Sequence, residues 1–411
     1  MKLWIESAHQ GLLKAGGEVC GDVVRIFTTE EHFFAILASS PRDKETGAQA
    51  ARIADGAADI LARGMPLDAV VEAVLPTLPG GEYAPFSILQ VWEGGRAHLL
   101  ECDAPPLFLT REGQLVLLPV LEDEWHGRLV RQCQFHLQAG DHVAMVSEGY
   151  IRARGWRARS GDRPERWGWR DVATAIRRWT DTGCDAEQLL GALIRTYHRL
   201  AGEECAFTAF RTGCEPAEGA SGRDVTVIAM YVRPERTATI WSGPPADPAR
   251  DAAALEKLMA EPGTRVICGD TTAQIAARLL GADLKLEPRP ASGWAEVPPV
   301  SHLEGVDLVT EGLVTLSIAR ERMAGAQRVR DLPRGEDGAT CLARVLLSAD
   351  TIHLIVGLAV NPATLPQPLP GREGGGAVAD AAHTVPLRQA AVDELARDLQ
   401  ARGKLVSVEY L

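Results

Sequence analysis

The sequence lacks the features expected of a membrane-spanning or secreted protein. Its longest apolar runs, such as residues 351–360, are about half the roughly 20 residues that a membrane span needs. Residues 1–19 show no charged segment followed by an apolar one, so we expect no secretory signal. The eight cysteines are scattered without a C-x-x-C pair, which predicts reduced thiols rather than a zinc site or a disulfide framework. We therefore expect a cytoplasmic protein with no membrane partner.

Basic residues are fewer than acidic ones. The 411-residue chain has 43 Lys and Arg against 55 Asp and Glu, which gives a net charge of −12. This balance disfavours non-specific binding to nucleic acid or anionic membranes, because both need a basic surface. The hydrophobic content of 46% is enough for a sizeable core, and the length suggests two or three domains.

The pattern of predicted strands and helices changes near residue 234. Residues 1–234 hold short strands rich in Val, Ile, Phe and Leu, interrupted unevenly by helices, which predicts an α+β domain. Residues 233–252 contain four prolines and are interpreted as a linker. Residues 235–411 then alternate strands and helices regularly, which predicts a smaller α/β domain with a mainly parallel sheet. A Pro- and Gly-rich stretch, residues 362–384, is predicted to be a loop.

Four short motifs place acidic or polar residues at the ends of apolar strands. They are EVCGDVV (18–24), AILASSPRDK (35–44), GDHVAMVSEGYIRA (140–153) and GRDVTVIAMYV (222–232). The second is unusual, because the loop after its strand holds no glycine and a single carboxylate.

The order and spacing of these motifs resemble the PPM-type serine/threonine phosphatases, in the branch named for the stage II sporulation protein E. That family has a Gly-Asp pair, D-G-x-G-x-G, S-D-G and D-D-x-T-V in the same order. Residues 235–411 resemble the C-terminal half of a bacterial subgroup often encoded near iron-only hydrogenases. The resemblance implies a β-sandwich flanked by helices, followed by a Rossmann-like α/β domain.

In the family, two Mn²⁺ or Mg²⁺ ions held by carboxylates activate a water that attacks a phosphorylated serine or threonine. The resemblance aligns Asp22 with the Gly-Asp pair, Glu148 with S-D-G and Asp224 with the second Asp of D-D. It aligns Ser39 with the metal-bridging Asp and Arg223 with the first Asp of D-D. Ser40 stands where the family has the glycine after the bridging Asp.

These replacements predict a degenerate metal site. A guanidinium does not lose its proton, so Arg223 is not a metal ligand. Any Mn²⁺ or Mg²⁺ would rely on Asp22, Glu148 and Asp224, and no catalytic residue is assigned. We therefore expect a regulatory protein of phosphatase fold that binds a phosphoprotein or another protein partner.

Two alternatives remain open from the sequence. One is an active phosphatase with a rearranged metal site that adds Asp43 to the three retained carboxylates. The other is a sensor whose C-terminal domain binds an anion or small molecule. For the sensor, Asp270, Thr271 and Thr272 follow a strand and open a helix, where free N–H groups favour anions. The simpler interpretation makes Asp270 or Thr271 an ordinary N-cap residue.

Overall fold

The computed structural model describes residues 2–13, 20–29, 31–39, 44–77, 84–125, 127–151, 168–201, 224–286, 300–359 and 387–411. The chain divides into two compact units, Met1–Pro234 and Glu235–Leu411.

The strands of the N-terminal unit form two sheets. They are β1 (Leu3–Leu12), β2 (Val23–Thr28), β3 (His32–Ala38), β4 (Phe86–Trp92), β5 (Arg96–Cys102), β6 (Phe108–Arg111), β7 (Gln114–Val116), β8 (Leu121–Trp125), β9 (Arg128–His136), β10 (His142–Val146) and β11 (Val225–Pro234). One sheet has the order β1-β11-β10-β6-β7 and the other β2-β3-β4-β5-β9-β8. All recorded strand pairs in these two sheets are antiparallel.

Helices cover the outer face of each sheet. They are α1 (Lys44–Ala62), α2 (Leu67–Val74), α3 (Glu148–Ile151), α4 (Trp169–Thr180) and α5 (Ala186–Ala201). The first two pack on the six-stranded sheet, and the last three pack on the five-stranded sheet. A third apolar core lies between the two sheets. The expected mixed α+β class is confirmed.

The apolar run that continues through β3 is explained by this layering. Phe34, Ile36 and Ala38 point into the core under α1 and α2, whereas Phe33 and the other alternate residues fill the core between the sheets. Because successive strand side chains face opposite sides, a strand that is covered on both faces buries every side chain and is therefore apolar throughout its covered part. The apolar run from Phe33 ends at Ala38, directly before the polar residue Ser39.

The C-terminal unit has one seven-stranded sheet between two helical layers. Its elements are β12 (Thr237–Ser242), α6 (Asp251–Ala260), β13 (Thr264–Cys268), α7 (Asp270–Leu280), β14 (Lys285–Leu286), β15 (Ser301–Leu303), β16 (Val306–Thr310), α8 (Leu313–Ala324), α9 (Gly338–Ser348), β17 (Thr351–Val356), α10 (Leu387–Ala401) and β18 (Leu405–Tyr410). The strand order is β14-β15-β16-β13-β12-β17-β18. The five strands from β16 to β18 are parallel, and β14 and β15 add an antiparallel edge.

The two faces of this sheet have separate cores. Residues of α6 and α7 pack on one face, and residues of α8, α9 and α10 pack on the other. Strand β12 contributes to both, since Ile240 belongs to the larger core and Trp241 to the smaller one. The description of this unit as Rossmann-like stays a prediction.

Two sequence expectations about the chain's organisation are wrong. Residues 233–252 are not simply a linker, because they include all of β12, the middle one of the five parallel strands in the C-terminal sheet. The prolines that suggested a linker lie around this strand rather than within it. Strand β1 was not predicted at all, because its polar residues, such as Glu6 and His9, mask its apolar ones.

Two other expectations concern the membrane and the thiols. Within the described ranges, no helix combines the length and the apolar character needed to cross a bilayer. The six cysteines in these ranges are all free thiols, and Cys205 and Cys214 lie outside them.

A buried carboxylate holds the turn between β5 and β6. Glu101 is 1% exposed, accepts the Leu107 backbone N–H at 2.7 Å and pairs with Arg131 at 2.9 Å. Arg131 also donates to the Ala104 carbonyl at 2.6 Å, so the pair fixes the turn at two points. Burial outweighs the attraction of Arg131 and raises the pKa of Glu101 from its ordinary value of 4.5 to about 7.

This raised pKa predicts a measurable pH dependence of stability. The folded state holds the Glu101 proton more tightly than the unfolded state, so the contribution is complete below pH 4.5 and is lost as pH rises through about 7. The difference between these two pKa values corresponds to about 3 kcal/mol. Glu101→Gln keeps a carbonyl acceptor for Leu107 and does not titrate. We expect the variant to gain stability relative to the native chain between pH 5 and pH 8, measured by urea unfolding. A stability difference that stays constant over this range would contradict the raised pKa.

Candidate functional site

The candidate site lies where β2, β3, β10 and β11 begin or end. Gly21, just before β2, donates its backbone N–H to Oδ2 of Asp224 at 2.7 Å. Asp224 directly precedes β11 and is 4% exposed. This contact brings Asp22, the residue after Gly21, beside the start of β11. Two of the sequence-predicted carboxylates are therefore neighbours.

A thiol lies beside these two carboxylates. The Sγ atom of Cys20 is 4.0 Å from Oγ1 of Thr226. Burial, together with the charges of Asp22 and Asp224, raises the pKa of this thiol to about 11. Cys20 is therefore protonated at neutral pH, which disfavours the reactive thiolate form.

The third carboxylate, Glu148, lies at the start of α3 and not at the end of a strand. The residue before it, Ser147, donates its backbone N–H to the Thr226 carbonyl at 2.9 Å. The Ser147 hydroxyl accepts the Thr226 N–H, also at 2.9 Å. A Cβ atom on Gly149 would lie 2.0 Å from the carbonyl oxygen of Asp224. Only glycine permits this approach, which brings the start of α3, where Glu148 lies, against Asp224.

Ser39 reaches the same place from the neighbouring strand. Ala38 and Val23 are paired across β2 and β3, so the residues just beyond them, Ser39 and Asp22, lie side by side. Ser39 is 7% exposed, and its backbone N–H donates to the Pro85 carbonyl at 2.8 Å. The structure thus brings together Asp22, Ser39, Glu148 and Asp224.

The remaining predicted residues of this site lie outside the described residues. These are Ser40, Asp43 and Arg223. Nearby, Trp169 stacks on Phe108 with ring centroids 5.1 Å apart.

We call the place where the ends of β2, β3, β10 and β11 meet the junction. The oxygen atoms that its side chains offer do not fit the paired metal centre that the resemblance implies. The bridging position holds a buried serine hydroxyl, and one oxygen of Asp224 already accepts the N–H of Gly21. Two hard cations need several carboxylate oxygens, including one that bridges them. Over the described ranges, no cluster of three or more His, Cys, Asp or Glu side chains is arranged to hold a metal ion.

Sequence reasoning missed the parts of the junction that are not carboxylates. Cys20 and Ser147 both contact Thr226 and hold the strand ends together. Their positions in the sequence were a usable signal, because Cys20 directly precedes the Gly-Asp pair and Ser147 directly precedes Glu148. Gly149 was noted as part of the S-E-G motif, but its close contact with Asp224 depends on tertiary structure.

The structure shows which residue caps α7 in the C-terminal unit and how exposed the three residues of the predicted anion site are. Gly269 is the N-cap of α7, so neither Asp270 nor Thr271 has that role. Asp270 and Thr271 are exposed, whereas Thr272 is completely buried. Burial raises the pKa of Asp270 above its ordinary value.

Comparisons with known proteins give similarity only at the level of solved structures. No family model matches the chain, and no curated protein matches it. The phosphatase domain of SpoIIE from Bacillus subtilis is 14% identical, with 56% of this chain and 93% of that chain covered and a TM-score of 0.39. The RsbU and RsbW domains of Rv1364c from Mycobacterium tuberculosis are 15% identical, with 68% and 70% covered and a TM-score of 0.43. RsbX in complex with magnesium is 14% identical, with 56% and 95% covered and a TM-score of 0.38. Similarity at this level carries no argument about activity or ligands.

Gly149 is closely packed and Gly56 is not, so replacement by alanine is expected to change the free energy of unfolding in opposite directions at the two positions. Gly149→Ala would force a methyl group against the Asp224 carbonyl, and we expect it to lower the free energy of unfolding by about 1–3 kcal/mol. Gly56, inside α1, has no atom within 4 Å of an added Cβ, so Gly56→Ala is expected to raise it by about 0.4–1 kcal/mol. Thermal and urea unfolding of both variants test this. Equal effects at the two positions would show that Gly149 and Asp224 are not in close contact.

Proposed function

We propose that this chain is a protein of PPM-type phosphatase fold that regulates by binding, and that it does not hydrolyse phosphate esters through a paired metal centre. Its partner would be a phosphoprotein or another regulatory protein. The observation that carries the proposal is the hydrogen bond in which the Asp224 carboxylate accepts the Gly21 N–H.

Two features of the junction support a loss of metal chemistry. A carboxylate that accepts a short N–H bond in a buried position has fewer lone pairs left for a cation. In addition, the residue that stands at the bridging position, Ser39, is a hydroxyl with a much weaker affinity for Mn²⁺ or Mg²⁺ than a carboxylate. Each change weakens a different part of the family's metal site.

The sequence around the junction supports phosphate binding by cations in place of metals. In the sequence Arg42 follows β3, Lys44 is the first residue of α1, and Arg223 directly precedes Asp224. Guanidinium groups bind phosphate through paired, charge-assisted hydrogen bonds, and they do so without activating a water. A phosphoserine or phosphothreonine side chain would then be bound and kept intact.

An active enzyme is the second candidate function. The proximity of Asp22 and Asp224 favours it, because neighbouring carboxylates can attract a divalent cation. In this alternative Asp43 would supply the missing ligand.

Metal-dependent hydrolysis separates the two candidates. We expect the purified native chain to hydrolyse p-nitrophenyl phosphate in MnCl₂ no faster than its Asp22→Ala variant. Calorimetric titration with MnCl₂ should show no pair of sites at millimolar metal. Manganese-dependent turnover that disappears in Asp22→Ala would overturn the regulatory proposal and establish the active enzyme.

A ligand-restoring variant serves as the matched control. Ser39→Asp combined with Arg223→Asp returns carboxylates to the two replaced positions, and we expect it to gain Mn²⁺ binding in the same calorimetric assay. If it gains none, the alignment of these positions with the family's metal ligands is wrong. For the phosphate-binding part, O-phospho-L-serine should bind the native chain more tightly than Arg223→Gln. Equal binding would exclude Arg223 from phosphate recognition.

A further inference from the structure

The carboxyl edge of the parallel sheet in the C-terminal unit has a topology suited to ligands. Strand β12 is central, with β13 and β16 on one side and β17 and β18 on the other. From β12 the chain runs outward through β13 to β16, and it later crosses to the other side of β12, where β17 and β18 lie. In open α/β sheets, ligands bind beyond the carboxyl ends of strands at such a reversal point.

Glycines follow four adjacent strands at this edge. They are Gly357 after β17, Gly243 after β12, Gly269 after β13 and Gly312 two residues after β16. Three of them have φ values that L-residues rarely adopt, namely 81° at Gly243, 136° at Gly269 and 145° at Gly312. The chain packs closely at two of these positions, since an added Cβ would clash with Pro244 at Gly357 and with Arg388 at Gly243. The turns at Gly269 and Gly312 are less crowded, because the nearest atom to an added Cβ would be 3.1 Å and 3.5 Å away, respectively.

Two helices begin at this edge without a side-chain cap. Gly269 precedes α7 and Gly312 precedes α8, and neither cap residue has a side chain to accept the first N–H groups. The two turns touch, since a Cβ on Gly312 would lie 3.5 Å from the Cα of Gly269. The first turn of a helix carries N–H groups without intrahelical partners and a partial positive charge.

A buried hydroxyl lies in the third position of each helix. Thr272 in α7 and Thr315 in α8 are both 0% exposed. Among the described residues, neither Oγ1 atom has a hydrogen-bond partner. Oγ1 of Thr272 lies 3.1 Å from where a Cβ of Gly269 would be, so it lies against the Gly269 turn. A buried hydroxyl without a partner costs free energy, which a ligand oxygen would recover.

A guanidinium lies over the same edge. Arg388 of α10 is so close to Gly243 that a Cβ there would be 2.3 Å from its Cζ. It donates to the Gly357 carbonyl at 2.7 Å and more weakly to the Ala359 carbonyl at 3.4 Å. Its recorded partners are thus neutral carbonyls, and burial lowers the pKa of Arg388 below its ordinary value. Gly243 and Gly269 follow the paired residues Ser242 and Cys268, so this cation lies next to the start of α7.

We propose that this edge binds a phosphate group, either free phosphate or a phosphate monoester, between Arg388 and the first turns of α7 and α8. The helix N–H groups, the Thr272 and Thr315 hydroxyls and the guanidinium are all donors, which matches an anion with several acceptor oxygens. Asp270 and Glu311 flank the turns and oppose the anion by charge. They favour moderate affinity, of the kind that suits a sensor rather than a permanent cofactor.

Calorimetric titration of the full chain tests this site, with sodium phosphate and with adenosine 5′-monophosphate at constant ionic strength. We expect the native chain to bind at least one of them with Kd of about 1 mM or lower. Arg388→Gln and Thr272→Val should each weaken binding by about tenfold, because each removes a donor to a charged group. Asp270→Asn should strengthen binding, because it removes a negative charge that opposes the anion. General destabilisation of the protein would weaken binding instead. Binding of phosphate alone identifies the free ion as the ligand class, and preference for the monophosphate identifies a phosphate monoester.

Arg402→Gln, one residue beyond the end of the same helix, is the matched control. Its guanidinium also bonds carbonyl oxygens, with Ala326 at 2.9 Å, and lies near the last turn of α10. We expect phosphate affinity to be unchanged in this variant. Thr272→Val replaces a buried hydroxyl by a methyl group of similar size and keeps the test valid if Arg388→Gln does not fold. Absence of binding to the native chain, or equal affinity in native, Thr272→Val and Asp270→Asn chains, would overturn the proposal.

Discussion

The hydrogen bond from Gly21 to Asp224 is the contact on which the candidate site depends. It joins the segment before β2, in one sheet, to the start of β11, in the other. Ser147 and Thr226 then join the ends of β10 and β11 through two further hydrogen bonds. The polar ends of four strands meet because the apolar core between the sheets fixes their directions, and because glycine at 149 allows the backbone to approach.

The same hydrogen bond affects the charge balance where these strand ends meet. In a metal site, carboxylates that face one another would repel unless cations neutralised them. Here Asp224 is satisfied by a backbone N–H, and a neutral Ser39 stands beside Asp22. Both features reduce the negative charge that a cation would have to balance at this place.

The sequence predicted those elements whose pattern is local. Strand β3 and helix α1 were recognised because continuous burial and 3.6-residue spacing leave clear signatures. Strand β1 was missed because its residues are mostly half-buried and alternate imperfectly. Strand β12 was hidden among prolines, although Pro234 and Pro244 lie outside its limits. Arg388 carries no sequence signal, because its importance arises only when α10 packs beside the turn at Gly243.

The two units differ in how their polar groups at strand ends are satisfied. In the N-terminal unit the hydroxyl of Ser147 and the carboxylate of Asp224 accept hydrogen bonds from the chain itself. In the C-terminal unit the hydroxyls of Thr272 and Thr315 have no partner within the described ranges, and two helices begin with glycine caps. Buried polar groups without partners are costly, so they mark places where a ligand completes the structure. The motifs that first draw attention lie in the N-terminal unit, whereas these two hydroxyls lie at the carboxyl ends of the parallel strands in the C-terminal unit. The phosphate group proposed for that place would supply the acceptor oxygens that both hydroxyls lack.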